Sequence, residues 1–274
     1  MSKEGSSGLR KAGKRVTSQG RFLKTEGTVL ASLGFGEGHK MVTIFTGSRG
    51  KIDASAFGVR KTKSRFGSSL ELFTMGSFLL YRSRPENPYT VREVDVISSN
   101  TALRENLGKY LIGSAIVETL VRYVDREQPD PGLHALLTSA LLTLDRVPEE
   151  RGMALLCLYE LGFLDVMGYR TDPDRCSVCG GRLEETQQRF ADHRSGFPVC
   201  ERCAGDASGG DPQPVPGQAV RFVRWAAANG PASAGRVAMK SETLRSVRRL
   251  IECLYAAVFG RLPESWGQLS LLQQ

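Results

Sequence analysis

Four cysteines fall as Cys176-Ser-Val-Cys179 and Cys200-Glu-Arg-Cys203, with 20 residues between the pairs. This is the ligand spacing of a closed tetrahedral zinc site, because two intervening residues let a tight turn aim both sulfurs at one ion. Gly180 and Gly181 follow the first pair, where such a turn needs permissive backbone. Four thiolates leave no open position for water or substrate, so the expected Zn2+ is structural. Two disulfides are the alternative use of these cysteines. The basic N-terminal stretch lacks the apolar core of a signal peptide, which argues against that use and for a cytoplasmic protein. Cys157 and Cys253 sit in apolar helical patterns and read as small buried hydrophobes. His193 lies between the pairs and reads as an exposed loop residue, since sulfur already completes the coordination.

A zinc motif this short occupies only part of the chain. With 274 residues and 41% hydrophobic content there is material for about two domains with real cores. No apolar run approaches the ~18 residues of a membrane span. The formal net charge is +8, and four thiolates on one Zn2+ contribute about −2, so the zinc site is not its source. The distribution of basic residues says more than the total. Residues 1–24 hold Lys3, Arg10, Lys11, Lys14, Arg15, Arg21 and Lys24 against one acid, Glu4, and a second cluster runs Arg60, Lys61, Lys63, Arg65. Local positive fields of this kind fit an anionic partner, most often nucleic acid.

Residues 1–20 have almost no apolar content and read as a flexible basic tail, either a nucleic-acid arm or an extended start with no role. From Arg21 the pattern changes. Thr25–Leu33, Met41–Thr46, Lys51–Ala56, Leu70–Tyr81 and Tyr89–Ile97 are strand-like, separated by turns at 34–38 and 47–50 and by Pro85 and Pro88. Five short strands in residues 21–98 suit a small OB-type β-barrel. From Asn100 the period becomes helical. Leu103, Leu107, Tyr110, Leu111, Ser114, Val117, Val121 and Val124 predict one helix, Leu133–Leu144 a second, and Pro148 to about Met167 a third. The expected organisation is therefore α+β: a tail (1–20), a barrel (21–98), a helical domain (99–170), a four-cysteine zinc motif (171–207), and a loop with C-terminal helices completing the helical domain (208–274). Residues 205–217 read as the loop, rich in Gly, Pro and Asp. In the last helix Arg245, Arg248 and Arg249 lie off the apolar stripe and read as a solvated face.

Catalytic constellations are scarce. The three histidines, His39, His134 and His193, fall in unlike segments, and no nucleophile elbow, Walker lysine or paired-histidine helix appears. Lys51-Ile-Asp53-Ala54 is similar to the lysine motif of nucleotidyl transferases, but alanine stands where glycine is needed, and the chain has no room before the barrel for such a domain. The expectation is a protein that is not an enzyme. Binding chemistry is better represented. Between Phe57 and Gly67, Arg60, Lys61, Lys63 and Arg65 are interleaved with Phe57 and Phe66. Cations neutralise phosphates, and the two rings either stack on bases or serve the barrel core. Lys40 and Lys51 are further candidate DNA contacts.

Three stretches carry a family resemblance: Lys61-Thr-Lys-Ser-Arg-Phe-Gly-Ser-Ser-Leu-Glu-Leu-Phe73, Gly36-Glu-Gly-His-Lys-Met-Val-Thr-Ile-Phe-Thr46 with Gly50-Lys51, and Tyr159-Glu-Leu-Gly-Phe-Leu-Asp-Val-Met-Gly-Tyr169 before Cys176. In this order, across roughly residues 21–260, the chain resembles the RecO family of bacterial recombination mediators. The resemblance implies an OB domain, a helical body and an inserted zinc motif. It implies binding of single- and double-stranded DNA, annealing of complementary strands, and help in loading the recombinase RecA onto strands coated with single-strand-binding protein. The implied protein partners are RecR and the acidic, apolar C-terminal tail of the single-strand-binding protein, and the implied setting is the bacterial nucleoid. An adaptor working mainly through protein contacts of the helical and zinc parts is the alternative.

Overall fold

A computed structural model describes residues 21–59, 66, 68–206 and 211–273. The basic tail 1–20 and the run Arg60, Lys61, Lys63, Arg65 lie outside the described residues.

Five strands close into a barrel in the order β1-β2-β3-β5-β4: β1 (Phe22–Phe35), β2 (His39–Thr46), β3 (Gly50–Ala56), β4 (Met75–Tyr81) and β5 (Tyr89–Ser98). β1 is long enough to serve two neighbours. Its first half pairs with β4, from Phe22↔Tyr81 to Thr28↔Met75, and its second half with β2, from Gly27↔Thr46 to Phe35↔His39. The strand changes partner at Gly27, where a Cβ would stand 2.7 Å from Ile44 and 2.9 Å from the Phe45 carbonyl, so the corner admits only glycine. A short parallel contact, Ala54↔Tyr89 and Ser55↔Thr90, shuts the barrel between β3 and β5. Alternation sends Val29, Val42, Ile44, Ile52, Ala54, Phe78, Leu80 and Val91 inward, and Phe66 and Leu70 join them from the β3–β4 connection.

The strand expected over Leu70–Tyr81 starts only at Met75. Leu70 to Thr74 turn instead, and Phe73, at φ 70°, is driven out of the barrel against Gly113 of the helical body. The side-chain amide of Asn100 donates to the Phe73 carbonyl at 2.9 Å, which holds the bend. Apolarity alone made this segment look extended.

The body contains α1 (Thr101–Glu105), α2 (Leu107–Tyr123), α3 (Pro131–Arg146), α4 (Gly152–Val166), α6 (Gly217–Ala226) and α7 (Ser241–Phe259); the short α5 (Glu201–Gly205) belongs to the cysteine segment. The single helix expected from Asn100 to Val124 is broken at Asn106, whose side chain accepts from the Lys109 amide and caps α2. Pro131 opens α3, and Asp130 caps it by accepting from the Leu133 amide. α4 is apolar nearly all round and buried on all sides, as a central helix must be. It carries one charge into the core, Glu160, which is met by Arg248 of α7. Arg248 is therefore not on a solvated face. The buried carboxylate recruits it inward, while Arg245 and Arg249 remain exposed.

Between α4 and α6 a small sheet forms in the order β7-β6-β8, from β6 (Arg189–Asp192), β7 (Gly196–Cys200) and β8 (Gln213–Val215). The Gly-, Pro- and Asp-rich run 205–217, expected to be a loop, contains β8. It is an edge strand, where proline costs little pairing. Phe197, Ala191 and Val215 join the body's core, and a Cβ built on Gly196 would stand within 3.6 Å of Leu254 and Ala257 on α7. Among the described residues no helix is long and apolar enough to cross a membrane.

Candidate nucleic-acid face and metal centre

The four cysteines converge. The Sγ atoms of Cys176, Cys179, Cys200 and Cys203 all lie within 4.8 Å of one another. A tetrahedron with Zn–S bonds of about 2.3 Å needs sulfurs about 3.8 Å apart, and Cys179 to Cys200 measures 3.9 Å. The first pair sits on a tight knuckle. The Gly180 amide donates to the Cys176 carbonyl and the Cys176 amide to the Gly181 carbonyl, both at 2.9 Å, with Gly180 at φ 69°. The second pair spans the end of β7 and the start of α5, where the Cys200 sulfur accepts from the Cys203 amide. The Cys200 amide points at the Cys176 sulfur, at 3.3 Å. Burial opposes ionisation of Cys176, but the amides of Cys179, Cys200 and Val178 outweigh it and bring this thiol down to about 6. Cys203 is instead pushed up to about 12, chiefly by its contact with the Cys200 sulfur. Four sulfurs this close cannot all ionise without a cation among them, and the donor set fits a soft divalent metal. His193 is exposed and stands outside the cluster.

The motif is anchored by Arg189, which is 3% exposed. Its guanidinium donates to the carbonyls of Pro173, Gln187 and Leu183 and to Asp174. Arg224 of α6 reaches the same carboxylate at 2.7 Å. The two arginines hold the Asp174 carboxyl below its usual range, the Arg224 hydrogen bond most strongly. Neither arginine carried a periodic or spacing signal in the sequence.

The candidate DNA contacts fare differently from one another. Lys40, on β2, is paired with Glu71 at 2.6 Å, so part of its charge is already answered. Lys51 is a correction. It is 8% exposed, and its ammonium donates to the Leu120 and Val121 carbonyls at 3.2 and 2.6 Å. It caps the C-terminal end of α2, where the helix dipole favours a cation and the Leu120 carbonyl also accepts from the Val124 amide. Desolvation, and then the nearby Arg126, lower its pKa. No phosphate can replace those carbonyls while barrel and body stay docked. The two phenylalanines part company: Phe66 is 4% exposed in the barrel core, whereas Phe57 is 53% exposed.

Lys51 belongs to a junction that sequence reading did not anticipate. Asp53, next outward-facing on β3, accepts from Thr43 and pairs with Arg126, and Arg82 pairs with Glu127 at 2.5 Å. The Glu127 amide donates to the Lys51 carbonyl at 2.9 Å. The helical body thus covers one end of the outer face of β1, β2 and β3, where Phe45 also stacks near His134. Among the described residues the other end of that face stays open, with Leu33, Phe35 and Phe57 exposed there. This is the side of an OB barrel that commonly takes oligonucleotides.

The family model described as Recombination protein O N terminal matches residues 21–100, the barrel, and that described as Recombination protein O C terminal matches residues 104–266, the body with its cysteine motif. A DNA repair protein RecO of Geobacter metallireducens is 29% identical over 92% of this chain and 97% of its own length. That of Rubrobacter xylanophilus is 32% identical over 83% of this chain and 90% of its own. That of Anaeromyxobacter dehalogenans is 34% identical over 66% and 70%. Barrel and body thus each match the corresponding half of one family, in the same order along the chain, and the chain belongs to the RecO family of recombination proteins.

Proposed function

We propose that this chain is a DNA repair and recombination mediator that binds single- and double-stranded DNA and anneals complementary strands. In this reading it also helps load the recombinase RecA onto strands coated with single-strand-binding protein, with RecR as a partner. The observation that carries the reading is the match to both family domains on a closed barrel whose outer face, among the described residues, is left open at one end. Annealing needs no catalytic side chain, since basic surface lowers the repulsion between two phosphate backbones. Arg60, Lys61, Lys63 and Arg65 supply that charge, with Lys40 at its margin. Cys176, Cys179, Cys200 and Cys203 hold one Zn2+, which fixes the fold of their segment. Its chemistry is to neutralise the four thiolates, and it takes no part in DNA contact.

A protein partner has its own support. Arg221, Arg236 and Lys240 surround Phe222, Trp225 and Met239 in a cavity of about 580 Å³ beside α6, and no carboxylate lines it among the described residues. An apolar floor with a cationic rim suits the acidic, apolar tail of single-strand-binding protein.

The test is annealing of complementary strands coated with their cognate single-strand-binding protein. Acceleration over the protein-free control is expected, and its absence refutes the mediator reading. Neutralising Arg60, Lys61, Lys63 and Arg65 together is expected to lower the salt slope of DNA binding by roughly 3 in log–log units, at about 0.7–0.9 per phosphate contact. An unchanged slope removes those residues from the interface.

A further inference from the structure

The open end of the outer barrel face carries three aromatic rings in one cross-strand row. Phe35 of β1 lies directly opposite His39 of β2. On the other side of β2, Lys40 pairs with Ala56, so the next step of the same register brings His39 beside Phe57. The ring centroids confirm the row: 5.6 Å from Phe35 to His39, 5.1 Å from His39 to Phe57, and 6.5 Å from Phe35 to Phe57. Strand alternation explains why the rings share a side. Val42 and Ile44 point inward, hence His39 and Met41 point outward, as do Leu33 and Phe35 across the ladder.

These rings do not serve the core. Phe35 is 40% exposed and Phe57 53%. His39 and Phe57 meet edge to face, as do Phe35 and Phe57, so the rings contact one another without stacking face to face. The row is also anchored. His39 Nδ1 accepts from the Gly58 amide at 3.1 Å, which fixes Phe57 at its place and leaves the other ring nitrogen as the donor in the neutral imidazole. Three rings offer far less area than the ~800 Å² per partner of a stable protein interface. They match a flat aromatic ligand, and two residues beyond Gly58 the sequence turns to Arg60, Lys61, Lys63 and Arg65, whose charge calls for a polyanion.

We infer that Phe35, His39 and Phe57 form a base-stacking site that takes the unpaired nucleobases of a single DNA strand. The inference rests on the DNA-binding reading above and adds a specific consequence to it. Paired bases are hidden inside a duplex, so this site distinguishes single strands from double, and strands held by it lose their grip as they pair. Charge alone makes no such distinction.

The experiment compares two ligands of equal length and phosphate number, oligothymidine and an abasic deoxyribose-phosphate oligomer, within the ~4–16 nucleotides that one OB barrel covers. Binding to the full chain is followed by fluorescence anisotropy at fixed salt. The intact protein is expected to prefer oligothymidine by roughly 5- to 150-fold per stacked base, the equivalent of ~1–3 kcal/mol. In Phe35→Ala/Phe57→Ala this preference is expected to fall toward unity while abasic binding and its salt slope stay unchanged. Both side chains are exposed, so folding should survive, and circular dichroism checks it. Phe57→Trp provides a second readout: the introduced indole is expected to be quenched by oligothymidine and not by the abasic oligomer. Equal binding of the two ligands by the intact protein, or a full base preference in the double variant, overturns the stacking site and leaves DNA binding standing. Binding of neither ligand overturns the DNA-binding reading itself.

Discussion

Replacing Gly50 by alanine is expected to strike the junction that holds the barrel against the body. Gly50 opens β3 at φ 65°, in the left-handed region that costs an L-residue about 1–2 kcal/mol. A Cβ there would also overlap the Gln128 carbonyl oxygen and stand 2.5 Å from its carbonyl carbon, where real contacts essentially never fall below 3.0 Å. The Gln128 carbonyl oxygen must therefore yield by about 1.1 Å to reach 3.0 Å. It is poorly free to do so. The preceding residue is tied to β3 through the Glu127 amide and to β4's end through Arg82, and Arg126 is tied to Asp53. Overpacking against such a restrained wall costs roughly 1–3 kcal/mol, which with the backbone term gives about 2–5 kcal/mol. Gly260 supplies the control. Its φ is 69°, nearly the same, but nothing lies within 4 Å of a Cβ built on it, so Gly260→Ala should show the backbone term alone. Urea unfolding followed by circular dichroism reads both. At a slope of about 3 kcal/mol/M, Gly50→Ala is expected to lower the midpoint by roughly 1 M and Gly260→Ala by about half of that or less. Equal shifts in the two variants would refute the steric reasoning and with it the rigidity assigned to the junction.

Three further outcomes are expected. Lys51→Met should lower stability by roughly 1–3 kcal/mol, since two helix carbonyls lose a charged donor while a desolvated charge is removed, and should leave the salt slope of DNA binding unchanged; a reduced slope would return Lys51 to the DNA interface. Metal chelation should open the four clustered thiols to a thiol reagent and loosen β6, β7 and β8 in hydrogen exchange, while Cys157 and Cys253 stay unreactive, because burial pushes these thiols up to about 12 and about 11; six reactive thiols, or none, would contradict this. Burial, opposed by Arg248, raises the Glu160 carboxyl from 4.5 to about 7. The folded state therefore keeps a proton that the unfolded state has lost. The resulting stability is present below about 4.5 and lost as pH rises through about 7. Glu160→Gln should flatten that part of the stability profile, and an unaltered profile would mean that Glu160 does not titrate there.

What sequence revealed about this molecule depended on how local the physics was. Most of the barrel strands, the Pro131 start of α3 and the cysteine cluster were readable because alternation, proline placement and ligand spacing act within a few residues, whereas the Asn106 cap that breaks the first helix was not seen. Lys51 was misjudged because a basic residue at the start of a strand looks the same whether it meets phosphate or a helix end 69 residues away. Arg248 was misjudged for a similar reason, since its position follows from a carboxylate on another helix. The β8 strand disappeared behind its own prolines. Phe35 carried no signal and His39 counted only as one of three scattered histidines, because a cross-strand row exists only once the register is known, although Phe57, its third member, stood out beside the basic run.

Leu30, Phe45, Phe73 and Met75 grow from the barrel, yet they belong to the hydrophobic cluster of the helical body. The two halves are thus not beads on a string. Cutting the chain between them would strip four apolar side chains of their cover, and exchanging one barrel for another would require refitting the partner surface at the same time. Such a seam makes the halves inherit change together. It also means that any load on the barrel is borne by the same packed interior that supports α2 and α3, so a force on one half reaches the other without a separate relay.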